Sequence, residues 1–318
     1  MPVNTKAIKR RIRSVRNTRK ITKAMEMVAA AKMRRAVEAA LNTRVYAGLA
    51  WDLLVSLSRT QKKQLPLLQI RPVKNMLVII ITSNRGLCGS FNANIIRKTS
   101  LQLQNPQVMG QQMVVNKKLA ANEKIAIDVI GLGKKGAEFA QKNNFNLTAA
   151  YTDVSDTPGI NDILPIARAA VTDYATGKYD KVVVAYTDYQ STIRQEARLR
   201  QVLPISEQDL EKMIEDTGET NPTLPPRNPE LDIDNYLFEP DKTKVLSIIL
   251  PRLVEVQILQ AVLESAASEH SARMMAMRNA SDAADDMIKE LNLNYNKARQ
   301  AGITQEIAEI TGGAAALE

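Results

Sequence analysis

The sequence predicts an α/β protein. Two long terminal helices pair as an antiparallel coiled coil, and a domain of about five strands is inserted between them. Three observations carry this. From Leu263, apolar or small residues recur at alternating steps of four and three: Leu263, Ala267, His270, Met274, Met277, Ser281, Ala284, Ile288, Leu291, Tyr295, Ala298 and Gly302. That period, near 3.5 and uninterrupted by proline, is the seam of a helix wound left-handed on a partner helix. At the other end Ile8, Ile12, Val15, Thr18, Thr22, Met25, Ala29, Ala36 and Ala40 fall on or near one helical face. Between the two, short apolar runs alternate with helical stretches. This is the rhythm of α/β units around a mostly parallel, Rossmann-like sheet.

The first helix reads from residue 3 to about 58, because strong helix formers fill the positions between the apolar ones, as in KAMEMVAAAKMRRAVEAAL. It would be roughly 80 Å long, and the C-terminal helix roughly 100 Å. Alone, neither can bury its stripe, and an antiparallel pairing is the simplest way for the two ends to meet around an inserted domain. The longer C-terminal helix then protrudes. After Gly302 its phase slips, and Ile303, Ile307 and Ile310 take over.

In the middle, Met76–Thr82 is a fully apolar run typical of a buried strand. The loop SNRGLCGS and a helix from about Asn92 to Gln104 follow. Ile125–Gly131 is a second strand, then a helix from Lys134 to about Asn143, and Asn146–Thr152 a third strand. A helix over Asp162–Thr176 takes Asn161 or Asp162 as its cap. Lys181–Tyr186 is a fourth strand, and Gln195–Leu203 a fifth that pairs with it as a hairpin. Residues 207–241 hold eleven acids, two bases and five prolines, a surface excursion expected to be mobile around 216–230. Pro251 is expected to kink or begin the last helix. The expected segments are therefore 1–60 (N-terminal coil helix), 75–205 (α/β domain), 206–242 (acidic excursion) and 243–318 (C-terminal coil helix).

The single cysteine of this 318-residue chain, Cys88, excludes an internal disulfide and an all-cysteine metal site. No run of eighteen apolar residues occurs, so no bilayer-spanning segment is expected. The start lacks the apolar core of a secretory signal. Its acid-free basic character suits an organellar transit peptide, but the same residues continue in phase into the first helix. The net charge of +9 is uneven: residues 1–35 carry twelve Lys and Arg against the single acid Glu26. Such asymmetry points to partners with complementary surfaces.

Several patterns invite a chemical reading. Gly131, Gly133 and Gly136 fit G-x-G-x-x-G between a strand and a helix, with Asp153 or Asp156 some twenty residues on, as in a dinucleotide site. Against an NAD-dependent enzyme, the motif follows the second strand and not the first, and its loop holds two lysines. No acid–base pair stands nearby, and a tight turn needs the same glycines. Arg85–Gly89 sits on a strand-to-helix turn, but Cys88 has no histidine beside it and the lysine of a phosphate loop is missing. His270, the only histidine, lies on the seam, where a lone imidazole cannot hold a metal. Met274, Met275 and Met277 read as adaptable packing. The basic first helix suits a nucleic-acid binder as well as it suits an acidic protein partner, although aromatic interleaving is absent.

Two long motifs decide between these readings. NTRKITKAMEMVAAAKM (Asn17–Met33) and the stretch from Ser268 to Ile310 resemble the N- and C-terminal helices of the gamma subunit of F-type ATP synthases. The SNRGLCG turn resembles that family's S-D-R-G-L-C-G, with Asn84 where aspartate is usual. Plant-chloroplast members carry a regulatory cysteine pair near the acidic excursion; this chain has none, so that thiol switch is not available to it.

The resemblance implies a rotating central stalk that couples ion flow through the membrane rotor to ATP synthesis or hydrolysis. The implied subunit is non-catalytic, with no cofactor, no nucleic acid and no membrane insertion of its own. The implied partners are three alpha and three beta subunits, the epsilon subunit and the c-ring, with one copy of this chain per complex. The implied location is the cytoplasmic face of a bacterial cell membrane, with the inner face of an organelle as the alternative. It places coupling contacts at Met25 in KAMEM, at Arg299 and Gln300 in KARQ, and at Ile303, Ile307 and Ile310 of the tip. Lys20, Lys23, Lys32, Arg34 and Arg35 form the implied basic rotor face. The acidic stretch 207–241 is expected to limit wasteful hydrolysis.

Overall fold

The structure is a computed structural model, and it describes residues 5–58, 65–114, 117–119, 124–155, 158–205 and 241–315. The acidic stretch expected to be mobile around 216–230 lies outside the described residues. The chain divides into two compact units: Met1–Ala30 with Arg273–Glu318, and Ala31–Ala272. Helix α1 (Thr5–Ser58) and the last helix, α6 (Lys242–Ala315), each contribute to both.

In the first unit the helices run antiparallel. Thr22 meets Ser281 at 2.7 Å, and three residues back on α1, Arg19 meets Asp285, four residues on along α6. The seams read from the sequence are the faces that are covered. Ile12, Thr22 and Ala29 of α1 and Met277, Ser281 and Ala284 of α6 are buried, while Ile288, Leu291, Tyr295, Ala298 and Gly302 are half-buried. Thr18 is a correction: it is exposed, and its hydroxyl donates to the Ser14 carbonyl. A hydroxyl satisfied within its own helix gains nothing from the seam.

The second unit is built on a five-stranded sheet in the order β5-β4-β1-β6-β7. Its strands are β1 (Asn75–Ile81), β4 (Ala126–Leu132), β5 (Asn146–Tyr151), β6 (Lys181–Tyr189) and β7 (Gln195–Leu203). β1 pairs in parallel with β4 and β6, and β7 closes the edge as an antiparallel hairpin with β6, as its sequence predicts. The continuous apolar run of β1 serves both faces. Leu77, Ile79 and Ile81 point to a core shared with Ile163, Ile166 and Tyr174 of α5 (Ile160–Ala175) and with Leu246, Leu250, Val254 and Ile258 of α6. Met76, Val78 and Ile80 point the other way. There they meet Ile95 and Leu103 of α2 (Phe91–Leu103), Met109 of α3 (Pro106–Gly110), and Phe139 and Ala140 of α4 (Lys134–Lys142). Alternation across a strand packed on both sides requires this arrangement.

Three local expectations change. α5 is entered from Gly159, whose N–H is accepted by Asp162 Oδ2 at 2.9 Å, so Asp162 is the third helical residue and not the cap. α6 begins at Lys242, where Asp241 Oδ1 accepts the Lys244 N–H at 2.8 Å; Pro251 lies inside the helix rather than at its start. α3 and a small antiparallel pair, β2 (Gln112–Val114) and β3 (Lys117–Leu119), occupy a stretch that the apolar pattern left empty. One window of α6 is apolar and long enough to cross a membrane, at mean hydropathy 1.7, yet 61% of that window is buried within the protein. Arg252 and Glu255 interrupt its apolar run, and its apolar face is the core of the sheet.

Candidate partner-contact surface

The residues singled out from the sequence are brought to the surface of α1 and α6. On α6, Arg299 and Gln300 are exposed, and among the described residues neither has an ion-pair or side-chain hydrogen-bond partner. Beyond Gly302 the residues from Ile303 to Gly313 are all exposed. Ile303, Ile307 and Ile310 are 48%, 57% and 72% exposed. Their spacing of four and three keeps them on one side, so the tip presents an apolar ridge to its surroundings. Its polar residues serve the helix itself: Gln305 Nε2 donates to Glu309 Oε1 at 2.9 Å, and Thr311 donates to the Ile307 carbonyl at 2.9 Å. Contiguous exposed apolar surface is a feature of interaction sites when it is extensive.

On α1, Lys20 and Lys23 are exposed and Met25 is half-buried. Lys23 holds Glu26 at 2.9 Å, one turn away, which leaves the one acid of this region internally paired. Farther along α1, Arg34 and Arg35 are exposed and Lys32 is half-buried with contacts of its own. Such pairs at a surface contribute less than about 1 kcal/mol each and exchange readily. A second apolar stripe was missed from the sequence: Ile21, Met27 and Val28 are 60%, 61% and 55% exposed. Ile21, Ala24 and Val28 recur at steps of three and four on a face away from the seam. That spacing was the available signal.

The glycine-rich loop is filled by the protein itself. Gly136 N–H donates to Thr82 Oγ1 at 2.7 Å, Lys134 N–H to Asn84 Oδ1 at 3.0 Å, and Lys135 N–H to the Ser83 carbonyl at 3.4 Å. The amides that would receive a pyrophosphate at the start of α4 are thus taken by the end of β1 and the turn after it. A Cβ on Gly133, at φ +89°, would stand 2.1 Å from the Thr82 carbonyl oxygen, so glycine is required for close packing and not for a ligand. The order of strands reverses between β1 and β6, whereas this loop follows β4. It is therefore away from the crevice where open α/β sheets bind ligands.

The turn that does follow β1 is closed on itself. Ser83 Oγ donates to the Arg85 carbonyl at 2.6 Å, Asn92 Nδ2 donates to Ser83 Oγ at 2.7 Å, and the buried Cys88 thiol lies 3.3 Å from Asn92 Nδ2. His270 is buried. Among the described residues no group of three or more His, Cys, Asp or Glu could hold a metal. Farther up α6, Ser265 accepts the Thr187 N–H at 3.1 Å, and Ser268 and Ser271 donate to the Thr187 and Thr192 carbonyls. Near them burial pushes the Asp188 carboxyl above its usual range. The Glu264 charge adds to that push, and Arg198 (3.2 Å away) and Arg200 oppose it.

A surface of exchangeable cations and an apolar ridge can bind and release another protein. The comparisons agree on the kind of protein that carries it. The ATP synthase family profile matches residues 4–317. The ATP synthase gamma chain of Roseiflexus castenholzii is 41% identical over 99% of this chain and 98% of its own length, and that of Dehalococcoides mccartyi is 41% identical over 99% of each. Among solved structures, a chain from the central stalk and c-ring of the Tetrahymena thermophila mitochondrial ATP synthase is similar at TM-score 0.58 and 25% identity. It covers 82% of this chain and 99% of its own. A chain of the Euglena gracilis mitochondrial ATP synthase shares the fold at TM-score 0.63 and 21% identity, over 98% and 94%.

Proposed function

The chain belongs to the ATP synthase gamma-chain family, and from that premise we propose that it works as a non-catalytic rotor shaft. Proton or other ion flow turns the membrane ring, the shaft turns with it, and the catalytic subunits around the shaft are driven through their states in sequence. The observation that carries this reading is the α6 tip. It is an apolar ridge on a helix whose seam has ended, set beside the exposed Arg299 and Gln300.

In this reading the tip and Met25 touch the ring of three alpha and three beta subunits, and Lys20, Lys23, Lys32, Arg34 and Arg35 meet its acidic loops. The second unit meets the epsilon subunit and the c-ring. One copy stands in each complex, at the cytoplasmic face of a bacterial membrane. The four-part organisation 1–60, 75–205, 206–242 and 243–318 belongs to the same proposal. A single asymmetric shaft cannot contact three equivalent subunits alike. Its orientation therefore favours a different conformer in each, by no more than the difference in contact free energy. Arg299 can hold a carboxylate through two parallel hydrogen bonds, a latch that opens once per turn.

The experiment is reconstitution. The purified chain is expected to hydrolyse no ATP alone, and hydrolysis is expected to appear when it is combined with alpha and beta subunits. Turnover by the isolated chain would overturn the non-catalytic assignment. Co-purification with a subunit census tests the partners.

A further inference from the structure

Resting on the rotor reading, we propose that Thr22 and Ser281 form a rotational lock that fixes the two helices of the shaft against each other while it carries torque. The two hydroxyls are 2.7 Å apart at the seam, and their residues are only 8% and 4% exposed. Each hydroxyl also lies within reach of a carbonyl of its own helix: Thr22 Oγ1 of Arg19 at 3.0 Å, and Ser281 Oγ of Met277 at 2.9 Å. One hydroxyl donates across to its partner, and the partner donates to its own carbonyl. The chain of bonds is complete in either direction; the cross-helix bond and the Ser281 bond are buried, and the Thr22 bond to its own helix is part-buried.

The surrounding seam explains why a directional bond matters here. Its members next to the pair are small or flexible: Met25 and Ala29 on α1, Met277 and Ala284 on α6. Such side chains give shallow knobs and holes, so shape alone resists rotation of one helix on the other weakly. A buried polar pair at one seam position sets register in coiled coils at the cost of some stability. If either helix turns about its axis, Thr22 leaves Ser281 and the cross-helix bond is lost. Arg19 and Asp285, in contact one turn away, add a second, half-exposed tie on the same side.

The test uses the complete complex in liposomes. Nitroxides on the exposed Arg16 and Lys289 report the distance between the helices, and the ratio of ATP-driven ion pumping to ATP hydrolysis reports coupling. Thr22→Val is expected to broaden the distance distribution, to raise the out-of-register fraction about threefold to tenfold, as loss of one buried hydrogen bond does, and to lower the pumping ratio. Ser281→Ala removes the same bond from the other side with the smaller change in shape. The double variant is expected to be no worse than either single one, and Thr22→Ser to restore both readouts.

Additive losses in the double variant would overturn the lock. So would wild-type distances and coupling in Ser281→Ala, or failure of Thr22→Ser to restore them. A wild-type complex that hydrolyses ATP without pumping would instead overturn the rotor reading, and the nitroxide distances would still decide the lock.

Discussion

The two ends of α6 are the same kind of helix in opposite settings. Near its start, Leu246, Leu250, Val254 and Ile258 are buried against the sheet and α5, none more than about one-hundredth exposed. Near its end, Ile303, Ile307 and Ile310 likewise share one face, at steps of four and three, and are half to three-quarters exposed. Apolar spacing thus serves folding at one end and stands exposed at the other. The stretch between them is graded: Met277, Ser281 and Ala284 are buried, and Leu291, Tyr295 and Ala298 are half-buried. What a side chain costs when it is changed should follow this gradient. Stability is lost at the base of the helix, and assembly or coupling is lost at the tip.

The largest effect is expected at the packed end. Leu250→Ala should lower the unfolding free energy of the purified chain by about 2–5 kcal/mol, read by denaturant titration, because it leaves a cavity between the helix and the sheet. Gly133→Ala follows, at about 2–3 kcal/mol, since the added methyl group meets the Thr82 carbonyl in a left-handed backbone. Calorimetry should find no NAD binding by the parent chain for that substitution to abolish. Saturable binding would mean that the loop is a ligand site after all.

Ile307→Asp reverses the pattern. It should move the stability of the purified chain by less than about 0.5 kcal/mol, yet reduce coupled turnover of the reconstituted complex about fivefold, the factor for roughly 1 kcal/mol of lost contact. Equal stability losses at Leu250 and Ile307 would erase the distinction between the two ends.

The smallest effect is a slope in pH. A carboxyl whose folded-state pKa is raised binds its proton more tightly folded than unfolded. Asp188 therefore contributes stability below the ordinary aspartate range, and that contribution is lost as pH rises through its raised value. Asp188→Asn should compare more favourably with the parent at pH 8 than at pH 4. A difference independent of pH would show that Arg198 neutralises the burial.

Where the sequence was legible, one period governed many residues. The seam from Leu263 to Gly302 and the strands at β1, β4, β6 and β7 were readable because each repeats a face over several turns or alternations. β2, β3 and α3 were not, because three to five residues are too few for a period to stand out. The cap of α5 was misread for a related reason: Asn161 and Asp162 both suit a helix start, and only backbone geometry tells the third helical residue from the cap.

The glycine motif was the most misleading text in the chain. Its spacing fits a dinucleotide loop, but the decisive partner, Thr82, lies fifty residues earlier in the chain and no local pattern announces it. In the candidate surface, Ile303, Ile307 and Ile310 were visible as a phase slip, while Ile21 and Val28 were hidden under a stronger period on the other face of α1. Arg299 and Gln300 carried no periodic signal and were singled out only through family resemblance.

The central claim is that this chain turns inside a fixed ring. The most direct measurement immobilises the ring of alpha and beta subunits, attaches a bead through a cysteine substituted at the highly exposed Ile193, and adds ATP. The account predicts continuous rotation in one direction, which stops when ATP is removed. A bead that stays fixed while ATP is hydrolysed would contradict it.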